Sequence, residues 1–342
     1  MSEIIVDDFG GERNFLDKLK TKYIDKRLSL TLNPFVFIIR VFCLIKYFRL
    51  HRPDVVHAHF TTGAVIPLIA ARLSNVSIRI YHNHGVPYIG HKGIIKFALK
   101  LIEFINCALA TQVITVSEGM ISPLKNVTNK HIQLFGKGSA CGLADSYYQK
   151  SIITDRAIVP PSVNSSSFVF LYVGRPFKRK GFNLIINAFT SAFPDDSVNV
   201  HLLLAGCNDV DLKRVTKNKN KNIHALGMVI DMKTIYESSD VVVLPSYHEG
   251  FGYALLEGAA SQCALISSDI PGPDSIVIPG VTGDVFPVGD SESLKNLLQE
   301  FYSKPNEVRL FGKKAYEESL NYKQNLIVSH YLDYMDNIFN AY

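Results

Sequence analysis

The chain has 342 residues, 47% hydrophobic and 20% charged, with a formal net charge of +5. That balance excludes a disordered chain and leaves room for two domains, each burying its own core. Five cysteines (Cys43, Cys107, Cys141, Cys207, Cys263) form no C-x-x-C and leave an odd thiol, which fits a reducing compartment and excludes a disulfide framework.

The charge is unevenly placed, net +9 over residues 1–150 and net −4 over 151–342. A basic half suits an anionic partner, a phosphate-bearing acceptor or a membrane surface, or else is an ordinary solvated surface. Residues 1–27 are polar and charged, so no secretory leader is expected, and the expected location is cytoplasmic.

In chain order, Asn33 to His51 is strongly apolar but interrupted by Arg40, Lys46 and Arg49. It falls short of the ~20 residues that span a bilayer and reads as a core or an interfacial helix. Pro53-Asp-Val-Val-His-Ala-His59 reads as a buried strand ending in histidines, followed by a helix over 63–73. Val76 to Tyr81 is a second strand running into His82-Asn-His-Gly85, so two strands end in histidines. Ligands gather at such carboxyl edges, whereas a single strand-end histidine more often packs or caps. His91 to Asn106 places Lys92, Lys96 and Lys100 four residues apart on a helix, either a membrane-facing or a solvated lysine stripe. A strand at Gln112 to Val116 and a turn-rich connection over 134–167 follow.

The second half opens with the strand Phe168 to Arg175, a basic cluster Lys178-Arg-Lys-Gly181 and a helix from Phe182. Arginine and lysine at a strand-to-helix turn can clamp a diphosphate. Neither a P-loop nor G-x-G-x-x-G after a strand is present, and no aromatic-basic code supports nucleic-acid binding. Further strands are expected at Val200 to Ala205, Asn222 to Gly227, Asp240 to Pro245 and Ala264 to Ser267, with helices beyond Ser291. Alternation of strands and helices predicts a parallel α/β architecture in two domains, 1–150 and 151–342. After the strand ending at Pro245, Ser246 to Glu257 forms a turn and restarts as a helix, with Glu249 and Glu257 bracketing Gly250-Phe-Gly252. Backbone N–H groups of Gly250, Phe251 and Gly252 at that helix start could meet an anion.

Gly174-Arg175 with Lys180-Gly181, Glu249 to Glu257, and Gly280-Val-Thr-Gly283, in that order and spacing, resemble the donor domain of retaining glycosyltransferases of family four. Arg52 to His59 and Tyr81 to Gly85 resemble the same family's acceptor domain, and the segment 82–120 is similar to bacterial enzymes that extend lipid-linked sugars for capsule, O-antigen or protein glycosylation. The resemblance implies the GT-B fold, two Rossmann-like parallel-sheet domains facing a cleft, with a C-terminal helix near 323–339 packing back toward the first. It implies Arg175, Lys180 and the amides of Gly250, Phe251 and Gly252 on the donor diphosphate, Glu257 on the ribose, and Gly227 near the nucleobase. Glu249 would bind the donor sugar and act with His84 in catalysis, while His59, His82, Asn83 and Gly85 line the acceptor side.

The implied co-substrate is a nucleotide sugar, UDP-linked, with no other cofactor and no metal. The implied acceptor is a polyprenyl-diphosphate-linked saccharide, at the inner face of the cell membrane. Eight helical residues would separate the two glutamates by ~12 Å, against about 5 Å for a retaining glycosidase pair, so they are anchors along one ligand. Asp209-Val-Asp211 lies in a polar context and is read as surface. Phe9-Gly-Gly-Glu-Arg13 is either a shortened glycine-rich loop or, as favoured here, the first β/α unit is absent; Lys137 stands where relatives carry Asn. The rival readings are a GT-B-like sugar-nucleotide epimerase and a truncated, non-catalytic donor- or partner-binding homologue.

Overall fold

The computed structural model describes residues 30–149, 159–216 and 220–341. The expectation of a shortened or missing first β/α unit falls on residues 1–29, outside the described residues. The chain divides into two compact units, residues 1–116 with 120–134, and 117–119 with 135–341. The division therefore falls after Leu134, not at residue 150: the stretch 135–149 goes with the second unit.

The first unit is built on four parallel strands in the order β1-β2-β3-β4: β1 Val55–His59, β2 Ile78–Asn83, β3 Gln112–Thr115 and β4 Ile132–Gln133. Helix α1, Pro34–His51, starts where the Asn33 side chain accepts hydrogen bonds from the N–H groups of Phe35 and Val36, with Pro34 in the first turn. Its buried residues Val41, Leu44, Ile45 and Phe48 recur at helical spacing and pack with Val56, Ile66 and Val76. Helix α2, Thr61–Leu73, follows β1.

Helix α3, Gly93–Leu109, is inverted relative to an ordinary surface helix. Its buried residues are Glu103, Asn106 and Cys107, while Ile94, Ile95, Phe97, Leu101 and Phe104 are exposed. Lys92 lies one residue before the helix, so the expected lysine stripe is reduced to Lys96 and Lys100 within it. A short helix α4, Ile121–Lys125, completes the unit. Among the described residues no helix is long and apolar enough to cross a membrane.

The second unit has six parallel strands in the order β10-β9-β8-β5-β6-β7. They are β5 Phe168–Val173, β6 Val200–Ala205, β7 Ile223–Gly227, β8 Val241–Leu244, β9 Ala264–Ser268 and β10 Gly283–Phe286. Central strands β5, β6 and β8 are covered on both faces, which is why they read as unbroken apolar runs. Phe168, Phe170 and Tyr172 of β5 pack with Phe189 and Ile185 of helix α5, Phe182–Ala192. The short helices α6 Asp209–Val215 and α7 Met232–Glu237 precede β7 and β8. Helix α8, Tyr253–Ala260, precedes β9; α9, Ser291–Ser303, and α10, Pro305–Ser319, follow the sheet.

The last helix, α11, Gln324–Ala341, meets the segment just after β4. Phe135 packs edge-on against Tyr331 and Tyr334, and Gln324 N–H donates to the Leu143 carbonyl. All of these residues belong to the second unit.

Candidate active site

The strand order of the second unit reverses between β5 and β8, and open α/β sheets bind ligands outside the carboxyl ends of the strands at such a switch. Two expected motifs emerge there: Gly174-Arg175 and the basic turn 178–180 after β5, and Ser246 to Gly252 after β8. They meet directly. Lys180 Nζ donates to Glu249 Oε1 at 2.6 Å, and Ser246 Oγ donates to the same oxygen at 2.7 Å. Glu249 is 9% exposed, so its charge is balanced by an ammonium on the next loop and not by bulk water.

The close approach of the two loops depends on Gly181. Its φ is +70°, and a Cβ there would stand 1.9 Å from the Pro245 carbonyl oxygen. Arg175 is exposed, and among the described residues its guanidinium has no hydrogen-bond partner, whereas its carbonyl accepts from Tyr172 OH at 2.9 Å. Helix α8 is entered through Gly252 at φ 96°, with no side chain capping it, and the amides of Gly250, Phe251 and Gly252 donate no hydrogen bond among the described residues. Ser117 Oγ holds the Gly250 carbonyl at 2.7 Å, and Phe251 is buried, so this loop is fixed from behind.

Glu257, one turn into α8, accepts from Tyr236 OH at 2.7 Å and from Tyr147 OH at 3.4 Å. Burial raises its pKa, and the two phenols pull against that shift by hydrogen-bonding the carboxylate. Tyr253, at the start of α8, takes Ser139 Oγ at 2.6 Å and the Ala140 N–H at 3.1 Å, tying the 139–142 turn to the helix. Gly227 ends β7 with φ 69° and donates to the Cys207 carbonyl; Met228 and Ile230 beside it are exposed. Asp211 closes a capping box with Asn208 at the start of α6, a helix-capping role in line with the surface reading of Asp209 to Asp211.

In the first unit the strand-end histidines form one cluster. His59 and His82 are register partners on β1 and β2, the rings of His57 and His59 stack at 4.2 Å, and those of His82 and His84 lie 4.5 Å apart. His59 Nδ1 and His84 Nε2 share a hydrogen bond of 2.9 Å. Burial lowers the pKa of His84 to about 3 and of His59 to about 4, so both are neutral near pH 7. His59 nonetheless shows part of its surface to solvent, although its ring lies against those of His57, His82 and His84.

Asn83 is fully buried, and both ends of its amide are used inside the unit: Nδ2 donates to the Gly85 carbonyl and Tyr81 OH, and Oδ1 accepts from Gly85 N–H. It shapes the loop that carries His84. Gly85, at φ 140°, provides the turn.

Sequence reading missed the residues that hold this loop. Glu103 of α3 is fully buried and accepts from Thr61 OH at 2.5 Å and Tyr81 OH at 2.7 Å. Burial pushes its pKa up to about 7 despite those donors. The one available signal was a single carboxylate in the helical run 94–105, whose other charged residues are Lys96 and Lys100. Tyr147, Tyr236, Tyr253 and Ser246 carried no such signal, because a hydroxyl donor leaves no periodicity.

Two parallel sheets, the second in Rossmann order with charged loops at its switch point, define the GT-B class of glycosyltransferase folds. The family model "Glycosyl transferases group 1" matches residues 155–318, and "Glycosyltransferase Family 4" matches residues 10–135. The chain belongs to these group 1, family-four-like glycosyltransferases. It is similar to the capsular polysaccharide biosynthesis glycosyltransferase CapM of Staphylococcus aureus, 26% identical over 306 residues, 86% of this chain and 80% of that one. It is also similar to the UDP-Gal:alpha-D-GlcNAc-diphosphoundecaprenol alpha-1,3-galactosyltransferase of Escherichia coli, 25% identical over 75% of this chain and 68% of that one. Among solved structures, Anabaena HepE in complex with UDP has the same fold, with a TM-score of 0.74 at 16% identity over 98% of this chain and 92% of that one.

Proposed function

We propose that this glycosyltransferase moves a hexose or N-acetylhexosamine, with retention, from a UDP-sugar to a polyprenyl-diphosphate-linked saccharide in capsule or surface-glycan assembly. The observation that carries the reading is the Lys180–Glu249 bridge at the β5/β8 switch point, one helical segment from Glu257 in its cradle of two tyrosines. Arg175 and Lys180 would neutralise the diphosphate as the leaving group departs, and Glu249 would take the donor sugar's hydroxyls with its second oxygen. Glu257 would accept from the ribose hydroxyls. His84, neutral and steadied by His59, is the proposed contribution of the first unit to transfer. The relatives' activities, capsule synthesis and galactosyl transfer to a diphosphoundecaprenol-linked sugar, support this choice of acceptor.

The exposed apolar residues of α3, with Lys96 and Lys100 on the same helix, support contact with an anionic membrane that holds such an acceptor. The test is a mass-spectrometric screen of nucleotide sugars against a short polyprenyl-diphosphate sugar. Free epimerised donor formed without acceptor would overturn it in favour of an epimerase, and UDP binding with no product from any donor would favour a non-catalytic homologue. Calorimetry adds a residue-level check. Glu257→Ala and Arg175→Ala each remove hydrogen bonds to a charged group, about 1.5–3 kcal/mol, so UDP affinity is expected to fall about 10- to 100-fold. Full retention of UDP affinity in both variants would place the donor elsewhere.

A further inference from the structure

The histidine cluster of the first unit has more imidazole than glycosyl transfer requires. A single histidine suffices for the proposed transfer role, yet four rings converge at the ends of β1 and β2. Three of them, His57, His59 and His82, present one nitrogen each such that all three atoms lie within 4.8 Å of one another. His82 is the most informative. It is 3% exposed, and neither Nδ1 nor Nε2 has a hydrogen-bond partner within the described chain. Two unsatisfied ring nitrogens in a buried site cost free energy unless something occupies the space they face.

The backbone explains why the rings converge. His57 and His59 are two residues apart on β1 and therefore share one face of the sheet, and register pairs His59 with His82 across the ladder. Parallel pairing stacks the three rings in one layer, with centroids 4.2, 5.2 and 5.3 Å apart. His84 then holds His59 from the outer side through the 2.9 Å bond to Nδ1, the arrangement in which one ring nitrogen is oriented while the other is offered to a ligand. Neutral imidazole is the ligating form, and burial favours it in all three rings. The exposed part of His59 gives the cluster a route to solvent.

We propose that His57, His59 and His82 form a binding site for a divalent transition-metal ion of the imidazole-preferring kind, Zn2+ being the leading candidate. Three neutral imidazoles and no carboxylate select Zn2+, Co2+, Ni2+ or Cu2+ over Mg2+ or Ca2+, which take oxygen ligands. Zn–N bonds of about 2.0–2.1 Å in a tetrahedral site put the nitrogens roughly 3.3 Å apart. The imidazole lone pairs lie in the ring planes, so the rings, now 10–36° from parallel and with their nitrogens within 4.8 Å, must turn about their side-chain torsions as well as close to that spacing. The fourth position is left to water. This site departs from the expectation that the chain uses no metal, and it stands apart from the transfer reading, because cation binding is measured with no donor or acceptor present.

The experiment uses the chelator-treated full chain, free of any histidine tag, titrated with Co2+ and followed in the visible spectrum, then with Zn2+ in competition. The expected result is one equivalent of Co2+ giving intense visible bands of low coordination number, displaced by Zn2+ and unaffected by excess Mg2+. His59→Asn and His82→Asn should each weaken binding by about ten-fold or more. Circular dichroism establishes that each variant is folded; if the buried His82 variant is not, the exposed His59 variant decides. Absence of the bands in the wild-type chain, or affinity unchanged in folded His59→Asn, overturns the proposal. So does a near-ultraviolet thiolate charge-transfer band, which would assign the ion to the exposed Cys43 or Cys141.

Discussion

At the residue scale, the buried carboxyl of Glu103 makes a measurable demand on pH. Its pKa is raised from the ordinary carboxylate range to about 7 because burial disfavours the anion more than Thr61, Tyr81 and Asn83 favour it. A group whose folded pKa is raised contributes stability that is fully present below its unfolded pKa, near 4.5, and is lost as pH rises through about 7. Chemical denaturation between pH 4.5 and 8 should therefore show a stability loss in the wild type that Glu103→Gln flattens. An identical slope in the variant would mean that the carboxyl is not the titrating group. Glu249, Glu257, Arg175 and Lys180 were legible because they sit at fixed spacing around glycines at strand ends. Glu103 was not, because what matters is its burial by α2 and β2, and only tertiary structure reveals that. Asn83 was legible as part of a motif but not in its role, which is internal to the loop.

At the element scale, most strands stood out in the sequence because a parallel sheet covered on both faces writes each strand as an apolar run. The exceptions have physical causes. Strand β4 is two residues long, and β10, Gly283–Phe286, begins with a glycine and an aspartate. Gly283 is there because a Cβ would stand 1.7 Å from the Leu265 carbonyl oxygen. The loops after β5 and β8 depend on the same kind of close approach at Gly181. Gly181→Ala is expected to destabilise the second unit by about 1–3 kcal/mol, combining left-handed strain with displacement of Pro245. UDP affinity should fall with it, as Lys180 moves off Glu249. Unchanged melting and unchanged affinity together would show that the loops do not need this contact. On α3, Lys96→Ala with Lys100→Ala should reduce partition onto anionic vesicles by about thirty-fold, at about 1 kcal/mol per lysine. Partition onto neutral vesicles should be unaffected. Loss on both kinds of vesicle would point to the apolar residues alone.

At the scale of the whole molecule, the division after Leu134 gives each unit its own sheet and its own core, with Phe135 and α11 assigned to the second unit. The sequence boundary at residue 150 followed the turn-rich composition of 134–167, but the Phe135–Tyr331 and Leu143–Gln324 contacts draw that stretch into the second unit. Independent cores predict two calorimetric transitions. UDP at about a hundred times its dissociation constant should stabilise the unit with the switch-point loops by about 2.7 kcal/mol. A single transition shifted as a whole would show that the two units unfold as one.

The inverted helix α3 bears on how the first unit opens. Apolar contact holds a helix with broad tolerance of its rotation, whereas α3 adds to the packing of Cys107, Leu99 and Leu109 the hydrogen bonds that Glu103 accepts from Thr61 and Tyr81 and the one that Asn106 donates to the Thr61 carbonyl. Such a helix is keyed to a single orientation yet has little burial to keep it docked, which places its amides among the first to exchange with solvent deuterium while β1 and β2 stay protected. Undocking also returns Glu103 to water, where its pKa falls from about 7 back toward the ordinary 4.5 and the carboxyl ionises. Opening of α3 and release of the Asn83 loop that carries His84 thus become one event, more frequent as pH rises from about 4.5 through about 7.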